Sequence, residues 1–101
     1  MREYLLTPSA ERRLQAIFSD IAPGGGSGGE PYPLPADVEF VFILRGSLEV
    51  TVEGTAMTLG VGDSFTFPAG APHSFRVPPD AAEAAQVLRV VSPALPDDTR
   101  Y

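Results

Sequence analysis

One histidine sets the terms for any chemistry in this chain. His73 closes the pattern G-x5-P-x-G-x2-H formed with Gly62, Pro68 and Gly70, and it is the single histidine of the 101 residues. Imidazole is a transition-metal ligand and a general base near neutral pH. Turn-forming residues around it give it a defined place in a fold. Cysteine is absent and all seven basic residues are arginine. That removes thiolate nucleophiles, zinc–thiolate sites, disulfides and Schiff-base chemistry. The polar candidates that remain are Tyr32 and Glu39, with Glu30 and Asp37 close by in sequence. Composition therefore leans away from covalent catalysis, and enzyme and binding module both stay open.

The net charge of −6 argues against direct contact with nucleic acid, because so acidic a domain repels a phosphate backbone. An apolar fraction of 44% with 20% charged residues matches an ordinary soluble domain. No apolar run approaches the ~18 residues that span a bilayer, and Met1-Arg2-Glu3-Tyr4 lacks a signal-peptide pattern. The expectation is one cytoplasmic domain over residues 1–101, without a membrane partner.

The elements that must position His73 are strands. Arg2–Leu6 reads as the first, and Arg12–Ile21 suits either a helix or a strand. Gly24–Gly29 reads as a flexible connector, and the alternate prolines of Pro31-Tyr32-Pro33-Leu34-Pro35 force an extended path at a rim. Val38–Leu44 has the composition of a strand covered on both faces. Leu48, Val50 and Val52 alternate with polar residues as in a half-buried strand. Thr55–Leu59, Ser64–Phe67, His73–Val77 and Gln86–Val91 complete the set, and 93–101 reads as a loose tail. Many short strands at this spacing predict an all-β sandwich or barrel.

These motifs resemble the cupin family of small jelly-roll β-barrels. The second cupin motif is matched by Gly62, Pro68, Gly70 and His73, with Val77 where the family carries asparagine. The first motif is framed by Gly26, Glu39 and Gly46, and fifteen residues separate Gly46 from Gly62, as in short cupins. Both motifs lie within residues 26–77. The two histidine positions of the first motif hold Tyr32 and Leu34.

The resemblance implies an all-β cupin jelly-roll barrel with His73 and Glu39 facing its interior. In metal-bearing cupins three histidines and a glutamate converge on a divalent metal, so only His73 and Glu39 are left to hold one here. No cofactor is expected, because a transition ion normally needs three or four protein ligands. The favoured expectation pairs Glu39 with His73 in an apolar cavity built from Val41, Phe65 and Phe75, with Tyr32 at its rim. That is the composition of a small-molecule site. Arg45 and Arg76 could attract an anion, while Arg12 and Arg13 read as surface residues.

The opening Arg2-Glu3-Tyr4-Leu5-Leu6-Thr7-Pro8 and the run from Ile21 to Val41 are similar to the C-terminal domains of XRE-type helix-turn-helix regulators. This implies an effector-sensing domain, expected to form a homodimer and to bind a small-molecule effector. The alternatives are a small cupin enzyme, a metal-dependent dioxygenase or isomerase, and a structural dimerisation module.

Overall fold

Alternation decides the ambiguous segment. In the computed structural model, which describes residues 1–96, Gln15, Ile17, Ser19 and Ile21 are buried and the residues between them are not. That period of two makes the stretch a strand and excludes a helix. The strands are β1 (Arg2–Leu5), β2 (Gln15–Ile21), β3 (Val38–Arg45), β4 (Leu48–Val52), β5 (Thr55–Leu59), β6 (Ser64–Pro68), β7 (His73–Arg76) and β8 (Ala85–Ser92). Among the described residues there is no helix, and so none long and apolar enough to cross a membrane.

The strands form two antiparallel sheets, ordered β1-β2-β8-β3-β6 and β5-β4-β7. Pro68 ends β6, an edge strand of the larger sheet, where a missing backbone donor costs least. Glu53 and Gly54 turn β4 into β5 with φ of 48° and 82°, the geometry of a two-residue hairpin loop. The core lies between the sheets. Val41, Ile43 and Val87 meet Leu48, Val50 and Phe75 in one cluster, and Leu34, Ala69, Val91 and Leu95 form a smaller one.

Three expectations need correction. The first concerns β3, whose outer face is expected to pack on the second sheet or on a partner subunit, and the second sheet does not cover that face. Only its Glu39, Val41 and Ile43 face is buried, while Phe40 and Phe42 are half-buried and Leu44 is exposed. The second is the glycine-rich connector, which is a strap laid along β7. Gly24 N–H donates to Val77 O at 2.9 Å, and Ser27 N–H to Phe75 O at 2.9 Å. Tyr32 and His73 exchange backbone bonds of 2.9 and 3.1 Å. The strap lies this close because Gly26 has no side chain: a Cβ there would stand 2.2 Å from the Phe75 carbonyl oxygen. The Ser27 hydroxyl then accepts the Phe75 N–H at 2.9 Å.

The third is the tail. Ala94 N–H donates to Arg12 O at 3.0 Å, Leu95 N–H donates to Gln15 Oε1 at 3.1 Å, and Leu95 is buried beside Leu34 and Val91. An apolar side chain that fills the end of a barrel holds its backbone in place. Residues 97–101 of the expected tail lie outside the described residues.

Candidate functional site

A buried polar layer sits where the two apolar clusters meet. Strand parity places it: Glu39 shares the inward face of β3 with Val41 and Ile43, and its cross-strand neighbours are Phe67 on β6 and Val91 on β8. His73 begins β7 on the facing sheet, presented by the Pro68–Pro72 loop. Both side chains are 1% exposed, and Glu39 Oε1 lies 3.5 Å from His73 Nε2.

The histidine's tautomer follows from its other nitrogen. Nδ1 is 2.8 Å from the Ala71 carbonyl oxygen, which can only accept, so Nδ1 carries a hydrogen. In the neutral ring Nε2 is then an acceptor, and it faces a carboxylate oxygen that is also an acceptor. Neither Glu39 Oε1 nor His73 Nε2 makes a hydrogen bond, and the same is true of the buried Tyr32 hydroxyl. The Tyr32 ring leans over the imidazole with centroids 4.5 Å apart, and Phe67 meets it edge-on at 4.9 Å.

The other carboxylate oxygen is claimed by a residue the sequence reading did not name. Arg89 on β8 is 0% exposed and donates from Nε to Glu39 Oε2 at 3.0 Å. Its Nη1 donates to Glu3 Oε2 on β1 at 3.3 Å, and its guanidinium carbon lies 4.7 Å from the centre of the Phe75 ring. Burial pushes the Glu39 carboxyl upward, while the charge and the hydrogen bond of the Arg89 guanidinium pull it down, and the group lies below its usual range. Glu3 goes the other way, raised chiefly by burial against a weaker pull from Arg89.

The structure thus brings Tyr32, Glu39 and His73 together as one group. Val41 and Phe75 belong to the packed core around it, and Phe65 packs against that core from a half-buried position, its ring 5.5 Å from that of Phe67. Glu30 and Asp37 are exposed, away from the layer. Arg45 and Arg76 are tied to Glu83 and Glu49 at 2.8 and 3.0 Å on the surface. Arg12 and Arg13 are exposed, with Arg12 reaching the Leu95 carbonyl at 2.7 Å. The signal for Arg89 was its parity, since Val87 and Val91 on either side of it face inward.

The layer does not fit the divalent metal that a cupin barrel implies. Among the described residues no cluster of three or more His, Cys, Asp and Glu side chains is placed to hold one. Leu34 is an apolar core residue, and Tyr32 could ligate only as phenolate, whereas burial raises its pKa above the ordinary value. Arg89 adds a charge objection. An ion bound at about 2 Å from Glu39 Oε1, the oxygen beside His73, would share its carboxylate with the Arg89 Nε that donates to Oε2 at 3.0 Å, and would lie within roughly 7 Å of that nitrogen. Two positive charges facing one at that distance repel by roughly 5 kcal/mol at an effective dielectric of 20.

Comparison with known proteins follows the same lines. The family model for the cupin domain, Cupin_2, matches residues 17–90. Among solved structures the chain is similar to the Cupin_2 domain of an XRE family transcriptional regulator from Enterobacter cloacae. The two are 22% identical with a TM-score of 0.77, covering 90% of this chain and 94% of that one. It is similar to a protein from Thermus thermophilus at 24% identity and a TM-score of 0.78, covering 93% and 84% of the two chains. A conserved protein of unknown function from Streptococcus pyogenes shares 27% identity at a TM-score of 0.70, covering 90% and 74%. None of the curated proteins compared matches the chain.

Proposed function

This chain belongs to the cupin family, and from that membership we propose that it is a small-molecule-binding barrel in which Glu39, His73 and Tyr32 orient the ligand. The observation that carries this reading is the pair of buried acceptors, Glu39 Oε1 and His73 Nε2, that face each other with no donor between them. A buried polar atom without a partner costs about 1–3 kcal/mol. A ligand hydroxyl would satisfy one of these acceptors and a primary amide, with two hydrogens, both at once, and the Tyr32 hydroxyl would hold the same group from the strap. Glu39 and Arg89 already neutralise each other, so the favoured ligand is small and uncharged, with an apolar remainder against Phe67. Access requires the strap that carries Tyr32 to lift.

Likeness to the XRE regulator domain supports a regulatory setting, with this barrel as the effector domain of a DNA-binding protein. Its partner would be a second copy. Across the outer face of the larger sheet, Tyr4, Phe18, Leu88 and Phe42 stand in one cross-strand row, and Ala16, Val90 and Phe40 in the next. Two adjacent rows without a charge form the kind of surface patch that a symmetric dimer covers with itself. Phe42→Glu should give a monomer by light scattering; an unchanged mass would remove this face from the interface.

The binding reading is tested by thermal denaturation against a library of uncharged hydroxylated and amide metabolites. A ligand at about 100 times its Kd should stabilise the protein by about 2.7 kcal/mol, roughly 10–20 °C in Tm. Tyr32→Phe and Glu39→Gln should reduce that shift. If no compound moves the Tm, ligand sensing is lost and a dimerisation module is left.

A further inference from the structure

We infer that Arg89 is the residue that decides what this barrel can hold: its guanidinium is a resident cation that fills the charge role of a metal at Glu39. Removing that cation, and supplying an imidazole in its place, would turn the Glu39–His73 pair into a metal site.

Arg89 is built into the core side of the larger sheet. It stands on the inward face of β8 between Val87 and Val91, all three 0% exposed. Three elements grip its head: β3 through Glu39 at 3.0 Å, β1 through Glu3 at 3.3 Å, and β7 through the Phe75 ring at 4.7 Å. A planar guanidinium held by two carboxylates and stacked on a ring stays charged and stays put.

The two groups that could coordinate an ion are meanwhile already arranged as ligands. Glu39 Oε1 and His73 Nε2 are 3.5 Å apart, and neither makes a hydrogen bond. The Nδ1–H of His73 is anchored on the Ala71 carbonyl, the outer-shell bond that orients ligating histidines and leaves the Nε2 lone pair directed inward. What opposes a metal is therefore the guanidinium and the missing third ligand, and one substitution at position 89 addresses both. A histidine at 89 would supply a neutral imidazole beside Glu39 and remove the opposing charge. The geometry of these residues alone sets this behaviour, whether or not an organic molecule enters the barrel.

The test is Ni2+ binding to the folded domain and to Arg89→His, by calorimetry and by Tm. The wild type should give no heat at millimolar Ni2+. Arg89→His should bind one equivalent at least about 100-fold more tightly, within what the lost repulsion allows. His73→Ala in the Arg89→His background should abolish that binding, which locates the ion. If Arg89→His is unfolded on its own, folding on addition of Ni2+ is the expected result. A variant that stays blind to the metal, folded or unfolded, overturns the inference. The wild type supplies a second measurement: Mn2+ should leave the His73 ring signals unbroadened in NMR spectra, and selective broadening there overturns it as well. A Tm library screen without hits would leave all of these outcomes unchanged.

Discussion

Arg89→Met is expected to lower the stability of the domain by about 3–5 kcal/mol, a fall in Tm of roughly 15–30 °C for a chain of this size. The loss comes less from the missing hydrogen bond than from what remains. Glu39 is 1% exposed and keeps its charge through the groups beside it, chief among the charges Arg89. Without the guanidinium the carboxylate is a buried charge with one side open, the costly half of a broken pair. Glu39→Leu should be harmful too, because it takes from the buried Arg89 its nearer carboxylate and leaves Glu3, at 3.3 Å, to carry more of the charge. Arg89→Met combined with Glu39→Leu should recover most of the stability, since apolar residues of similar volume often replace a buried ion pair at no net cost. Chemical denaturation of the two single variants and the double gives the coupling directly. A single Arg89→Met variant that melts within a few degrees of wild type would mean that the pair contributes little to holding the sheet together.

Gly26→Ala is the second large effect, about 3 kcal/mol, through backbone collision and strain. The added Cβ would lie 2.2 Å from Phe75 O and 2.7 Å from the Arg76 Cα, both backbone atoms that cannot rotate away. Its φ of 154° adds strain for any residue with a side chain. The strap must then part from β7, and the bonds of Ser27 to Phe75 are the first to go. Because Tyr32 rides on the same strap, hydrogen exchange at the His73 and Phe75 amides should quicken more than at β2 or β8. Gly54→Ala is the matched control: its φ is 82° but nothing lies within 4 Å of a Cβ there. It should cost roughly 1–2 kcal/mol from conformation alone. Equal losses at both positions would show that close approach is not what fixes the strap.

The barrel was legible where local patterns carry it. Leu48, Val50 and Val52 announce β4 by alternation, and the glycines and Pro68 that frame His73 mark the turns between strands. The meeting of Glu39 and His73 was legible too, because each has a fixed place relative to a motif. The strap was misread for a physical reason: six residues with five glycines look mobile locally, and what orders them is β7, 48 residues further on for Ser27 and Phe75. Arg89 was hidden inside an apolar run. Its inward parity could have been read from Val87 and Val91, but its partners could not. Glu3 reaches it only because β1 pairs with β2 and β2 with β8, a register that no stretch of local sequence states.

The place of β8 has a consequence for how the molecule comes together. It is the last of the described strands in sequence, yet it lies in the middle of the larger sheet, between β2 and β3. Glu39 and Arg89 are 50 residues apart, and Glu3 and Arg89 are 86 apart. Until β8 has been synthesised, β2 and β3 have no neighbour to join them, and Glu39 has no counter-ion. Contacts so distant in sequence close slowly, after a large loss of chain entropy. A nascent chain therefore carries two unjoined β-units and an acid without its guanidinium until β8 slides between them. The step that completes the sheet is also the step that delivers the buried charge.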